Sequence, residues 1–144
     1  MARILVVTQG ALAQELVRGA HTIAGRSDRL ETVSLDWEES PVISERKVEA
    51  ALEEGSRDGE ADKGVLILTD LPGGTPFNVA AKFARPGRVE VLSGVNLAML
   101  VRLCCPGCRE RSVGELAAWL EEKGRQSICR YRARAPVESD PACD

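Results

Sequence analysis

No apolar run in this 144-residue sequence approaches the roughly 20 residues that a membrane-spanning helix needs. The opening Met1-Ala2-Arg3-Ile4-Leu5-Val6-Val7 turns polar at Thr8 and Gln9, too soon for the apolar core of a secretory signal. No charge of one sign dominates either. The formal net charge is −3, with both signs interspersed, which argues against a nucleic-acid surface and against a disordered acidic segment; small-molecule or protein partners fit better. The five cysteines form an odd count with no paired framework, and without an export signal the expectation is reduced thiols in the cytoplasm. Histidine occurs once, at His21, so imidazole chemistry has a single residue to draw on. No repeat and no second domain are visible. The length suits one domain that buries a core without disulfide or metal, expected over 1–135, with a polar tail over 136–144 that frays.

What the sequence does contain is one stretch that organises the rest. Thr69-Asp70-Leu71-Pro72-Gly73-Gly74-Thr75-Pro76-Phe77-Asn78 directly follows the most apolar run, Val65-Leu66-Ile67-Leu68. It reads as strand, acidic residue, glycine turn and helix start. Thr75 is expected to cap the helix by accepting a backbone N–H, with Pro76 at the first helical position, where no donor is needed. Phe77, Ala80, Ala81 and Ala84 recur at helical spacing until Pro86-Gly87. A helix N-terminus presents unpaired N–H groups and partial positive charge, and glycines let a ligand approach the backbone. Gly73, Gly74 and Thr75 are therefore candidate phosphate-binding residues. Asp70 would repel a bare anion, so its expected role is to orient a neighbouring group that handles phosphate.

Taken in order, Ile4 to Val7 is a short β-branched run of the kind buried on both faces of a parallel sheet. After Thr8-Gln9-Gly10 the period becomes helical, with Leu12, Leu16, Ala20 and Ile23 expected on the buried face, Gln14, Arg18 and His21 on the other, and Gly25 as the stop. Thr32 to Leu35 is a second strand; Ser40-Pro41 opens a helix with Val48, Ala51 and Leu52 on its stripe. Gly55 to Asp62 reads as a polar connection into the third strand. Val89 to Leu92 is a fourth strand, and Asn96 caps a helix from Leu97 to about Leu103. Ser112-Val113-Gly114-Glu115 has the spacing of a capping box ahead of a fifth helix ending near Gly124. Ser127 to Ala135 could be a C-terminal edge strand, its arginines discouraging unwanted pairing.

This alternation predicts an α/β fold, a doubly wound, mainly parallel sheet with helices on both faces. Sites in such sheets lie at the carboxyl ends of strands where the strand order reverses. In the common 2-1-3-4 order that crevice falls between the first and third strands, where Thr8-Gln9-Gly10 and Asp70 to Thr75 meet.

The residues resemble a known family, the IIA component of the mannose-type sugar phosphotransferase system. The resemblance rests on the apolar first strand and its small-residue loop, on Asp70 to Asn78, and on Gly94-Val95-Asn96-Leu97-Ala98-Met99-Leu100, and it covers roughly Ala2 to Gly124. It implies a cytoplasmic phosphohistidine carrier, commonly a homodimer, that takes phosphate from a phosphocarrier protein and passes it to a IIB component, with no metal and no organic cofactor. In that family a histidine at the end of the first strand is the acceptor, and the aspartate matching Asp70 orients it. Here the position is Gln9. A primary amide delocalises its nitrogen lone pair, so Gln9 can hydrogen-bond but cannot accept a phosphoryl group at neutral pH. The chain as written is expected to be inactive in transfer, whether Gln9 is a natural regulatory feature or an engineered replacement. The alternative is a non-catalytic docking module.

Other readings are weaker. A receiver-type phosphoaspartate at Asp70 would need metal-binding carboxylates after the first strand, and Thr8-Gln9-Gly10 supplies none. His21 lies roughly 15 Å along the helix axis from the site loop, on the polar stripe, and is expected to be solvated. Cys104-Cys105-Pro106-Gly107-Cys108 holds a C-x-x-C pair, but the pair follows a helix where a redox motif normally opens one, and ordinary loop cysteines are expected. Arg125, Arg130, Arg132 and Arg134 suit an exposed edge; Trp37 and Trp119 are expected to pack on the flanks.

Overall fold

Strand β1 (Arg3–Gln9) is the centre of the architecture because its apolar residues serve both faces. In the computed structural model, which describes residues 1–55 and 63–135, β1 pairs in parallel with β2 (Leu30–Leu35) on one side and β3 (Val65–Thr69) on the other. Strand β4 (Val89–Ser93) adds in parallel to β3, completing the order β2-β1-β3-β4. The doubly wound parallel sheet expected from the sequence is thus present. Most of the connection predicted at Gly55 to Asp62, and the tail over 136–144, lie outside the described residues.

Side chains alternate across a strand, so Ile4 and Val6 enter one core and Leu5 and Val7 the other. The first core packs against α1 (Leu12–Ala24), α4 (Leu97–Cys104) and α5 (Val113–Gln126) through Ala13, Val17, Ala20, Leu100, Leu103, Leu116 and Leu120. The second packs against α2 (Pro41–Glu54) and α3 (Thr75–Ala81) through Val48, Val79 and Ala80. Each fully buried leucine contributes about 1.5–3 kcal/mol relative to exposure. Ser40, Asn96 and Ser112 cap α2, α4 and α5 as their positions predict, the last in a reciprocal capping box with Glu115.

Four expectations are corrected. The stripe of α1 is turned: Ala20 is buried as expected, but Ala13 and Val17 are buried beside it while Leu12 and Ile23 are exposed. Helix α1 lies against α4 as well as over β1 and β2, and the small residues take the closest approach, so that packing overrides side-chain size. Thr75 does not cap α3. Gly74, in extended conformation, is the N-cap, Thr75 and Pro76 are the first two helical residues, and no side chain caps the end. Helix α3 stops at Ala81, before Ala84, as Lys82, Phe83 and Ala84 switch to bonds three residues back. Finally, Ser127 to Ala135 forms no strand: Ser127 continues the helical bonding of α5, and residues 128–135 pair with no strand among the described residues. A strand exists only where a neighbour takes its N–H and C=O groups, and a charge pattern suited to an edge does not supply one.

Candidate functional site

Parallel strands with right-handed crossovers put every strand-to-helix turn at one end of the sheet. Gln9 is level with Leu35 of β2, Val7 is level with Thr69 of β3, and Asp70 follows directly. Gln9 and Asp70 therefore emerge side by side at the carboxyl end, with the Gly73-Gly74 turn beyond Asp70.

The turn out of β1 is held by Thr8. Its buried hydroxyl accepts the N–H of Ala13 at 2.8 Å, and Gly10 N–H donates to Leu35 O at 2.9 Å. Gln9 is half-buried, and its amide makes no side-chain hydrogen bond among the described residues. Asp70 is half-buried, and its Oδ1 accepts the N–H of Leu71 at 2.8 Å. The Asp70 carbonyl accepts from Gly94 at 3.1 Å and that of Thr69 from Val95 at 3.0 Å, so the β4–α4 turn braces the end of β3. The Thr69 hydroxyl is fully buried and has no hydrogen-bond partner among the described residues.

Leu71-Pro72-Gly73-Gly74 forms a turn closed by Gly74 N–H to Leu71 O at 3.0 Å, with Gly73 at φ +77°. That is the type II pattern, with proline second and a positive-φ glycine third. Among the described residues nothing lies within 4 Å of where a Gly73 side chain would project, so this backbone is open to a ligand. Asn78 Nδ2 donates to Gly73 O at 3.1 Å, and Asn78 N–H to Gly74 O at 2.9 Å, fixing the turn on the start of α3.

The residue that sequence reasoning missed here is Trp37. It is 73% exposed, and its indole Nε1 stands 3.2 Å from the point a Gly10 Cβ would occupy. Trp37 is therefore at the rim of the Gln9 turn, carried by the loop after β2. That loop is anchored by Lys47, whose Nζ lies 2.6 Å from Glu39 Oε2, 3.7 Å from Asp36 Oδ2 and 3.3 Å from Ser34 O. Ser44 Oγ donates to Glu39 Oε1 at 2.9 Å. Burial alone would raise the Glu39 carboxyl, but hydrogen bonds from Lys47, Ser44 and the Asp36 backbone outweigh it and hold the group below the usual carboxylate range. The hydrogen bond to Glu39 raises the Lys47 ammonium above its ordinary value despite some desolvation. The tryptophan in an acidic loop, Asp36-Trp37-Glu38-Glu39, was the only local signal.

Exposed apolar side chains gather at this end. Leu12, Trp37, Val42, Ile43, Leu71 and Leu97 are all exposed, and each sits in a strand-to-helix turn or the first helical turn after it. His21, by contrast, lies in the last turn of α1, toward the opposite end of the sheet. It is half-buried rather than solvated, with Nε2 3.2 Å from Ser27 O. Among the described residues no group of histidine, cysteine and carboxylate side chains is arranged to hold a metal, and no helix is long and apolar enough to cross a membrane.

A family model described as "PTS system fructose IIA component" matches residues 3–119. The mannose-specific EIIAB component of Escherichia coli strain K12 is 29% identical over 140 residues, 96% of this chain but 42% of that protein. The chain thus spans less than half the length of this relative. The fructose-specific EIIA component of Bacillus subtilis is 30% identical over 104 residues, 72% of this chain and 68% of that protein. Among solved structures, the mannose/sorbose-specific IIA subunit from Enterococcus faecalis superposes with a TM-score of 0.80 at 28% identity, covering 93% of this chain and 97% of that one.

Proposed function

Because the chain belongs to the mannose-family IIA components of the sugar phosphotransferase system, we propose that residues 1–135 are a IIA module that docks a phosphocarrier protein and a IIB component at the carboxyl end of the sheet, with Gln9 in the acceptor position. The observation that carries this reading is the placement of Gln9 at the end of β1 beside Asp70 and the open Gly73-Gly74 turn of β3. A phosphoryl group on a side chain at position 9 would face the N–H groups of Gly73, Gly74 and Thr75, with Asp70 orienting its carrier. Transfer between phosphohistidines needs positioning and charge stabilisation more than covalent machinery. It does need a nucleophile, and the Gln9 amide is not one. This chain as written is a IIA module that binds without carrying phosphate.

The exposed apolar residues at that end favour a docking role that survives loss of transfer. A homodimer fits the open edge of β4, whose residues are all only half-buried, and the uncovered residues 128–135, with Ile128 and Tyr131 more than four-fifths exposed. Neither metal nor organic cofactor enters this chemistry, and a cytoplasmic setting follows from the partners.

The test is direct. The protein and its Gln9→His variant are incubated with a phosphorylated phosphohistidine carrier, and acid-labile phosphate is mapped. Label at position 9 of the variant and none on the parent is expected. Label on the parent at His21 or Asp70 would overturn the proposal.

A further inference from the structure

The turn between α4 and α5 lies at the amino end of the sheet, away from Gln9, and carries Cys104, Cys105 and Cys108, all free thiols. Cys105 is exposed and forms the N-cap of a 3-10 turn, Pro106–Cys108. The pair follows one helix, as the sequence showed, but it also opens this second one. Cys108 is 1% exposed. Its Sγ donates to Cys105 O at 3.2 Å and to Leu103 O at 3.4 Å, and Arg29 Nη1 lies 3.3 Å from the same sulfur. Arg29 is itself fixed by Nη2 and Nε on Ala2 O at 3.2 and 3.4 Å, so the cation beside Cys108 is held in place.

We propose that Cys105 and Cys108 form a thiol–disulfide exchange site whose substrate is a low-molecular-weight disulfide and whose product is a Cys105–Cys108 disulfide. An accessible first cysteine and a buried second one divide the work into attack and resolution. Cys105 Sγ rests on Val101 O at 3.5 Å, and the 3.2 Å contact of Cys108 Sγ with Cys105 O puts the second sulfur against the backbone of the first cysteine. A disulfide needs Cα atoms ~4.4–6.8 Å apart, and the ends of a tight four-residue turn lie under about 7 Å apart. The Cys105 thiolate attacks one sulfur of R–S–S–R, forming Cys105–S–S–R and expelling RS⁻, which takes up the proton Cys105 gave up. Cys108 then loses its proton and attacks the Cys105 sulfur. The second RS⁻ leaves and takes that proton. Two protein thiols are oxidised to one disulfide while R–S–S–R is reduced to two R–SH, with no further oxidant. Arg29 provides the positive charge that the Cys108 sulfur meets as it turns anionic. Cys104 is a poor competitor. Its burial pushes the thiol up, and the neighbouring Cys105 and Cys108 sulfurs add to that against a smaller opposing effect of Arg29.

The experiment titrates the full chain with mixtures of reduced and oxidised glutathione, followed by acid quenching, alkylation in denaturant, where the buried Cys108 is also reached, and peptide mass mapping. The turn peptide is expected to lose two hydrogens and to become at least about ten-fold protected from alkylation at Cys105 and Cys108 together. Cys108→Ser and Cys108→Ala should accumulate a glutathione adduct on Cys105, and Cys105→Ser should show no adduct in the turn. A stable adduct on Cys105 of the parent without closure, a disulfide through Cys104 or Cys129, or no change in the turn peptide would each overturn the proposal. The parent's map decides even if a Cys108 variant fails to fold. Phosphoryl transfer is not part of the readout, so its outcome is independent of the role assigned to Gln9.

Discussion

Replacing Gly73 by alanine and Gly64 by alanine separates backbone strain from steric overlap in the two turns that flank β3. Both glycines have positive φ, +77° and +81°, so alanine at either costs about 1–2 kcal/mol in the left-handed region. Alanine also stiffens the unfolded chain, which returns roughly 0.4–1 kcal/mol. At Gly73 nothing lies within 4 Å of the new Cβ, and the net loss is about 1 kcal/mol. At Gly64 the new Cβ would come within 2.7 Å of Val113 Cγ1 and 2.9 Å of Arg88 O. That carbonyl accepts the N–H of Val65 at 2.8 Å, and Gly64 O accepts the N–H of Arg3 at 3.1 Å, so neither backbone can retreat without disturbing the sheet. Overpacking of this kind adds about 1–3 kcal/mol. For a chain of this size a loss of 1 kcal/mol lowers Tm by roughly 3–5 °C. Gly73→Ala should therefore lower Tm by about that amount and Gly64→Ala by about 10 °C, measured by calorimetry at matched concentration. Equal shifts, or a larger one for Gly73→Ala, would refute the reasoning.

Trp37→Ala should weaken binding of the unphosphorylated phosphocarrier by about ten-fold or more, as for a central aromatic anchor, while the parent and Gln9→His bind it about equally. Titration calorimetry checks both, and no binding by the parent alongside clear binding by Gln9→His would remove the docking role. Thr69→Val should leave stability unchanged or raise it by up to about 1 kcal/mol, because the buried hydroxyl it removes has no partner among the described residues; a lower urea midpoint would show that the hydroxyl is engaged. The Glu39–Lys47 link should hold Trp37 in place across neutral pH. Glu39 is lowered in the folded state, so its contribution is complete above about pH 4.3, the ordinary carboxylate value, and is lost as pH falls through its lowered one. Lys47 is raised, so its contribution is complete below about pH 10.4 and is lost as pH rises through its raised value. Trp37 emission in a Trp119→Phe background should be flat between those limits; a transition near neutrality would contradict the assignment.

The order of elements was written in the sequence because it depends on residues close together in the chain. The β-branched run at Ile4 to Val7, the proline after Ser40, and the spacing of Ser112 and Glu115 each act within a turn or a strand, and the elements formed where those signals stand. The adjacency of Gln9 and Asp70 was also legible, because parallel strands joined by right-handed crossovers leave little choice about which ends meet. Packing decided the rest. Which face of α1 is buried depends on how closely α4 approaches it: Ala20 is buried as its spacing predicts, but Ala13 and Val17 won over Leu12 and Ile23. Trp37 on Gly10, Lys47 on Glu39 and Arg29 on Cys108 join separate elements. The register of β1 with β2 and the seating of α2 and α4 bring those partners together, and no local pattern encodes such contacts. The missing strand at 128–135 has the same cause: its residues have strand character, but only a neighbouring edge supplies the hydrogen bonds that make a strand.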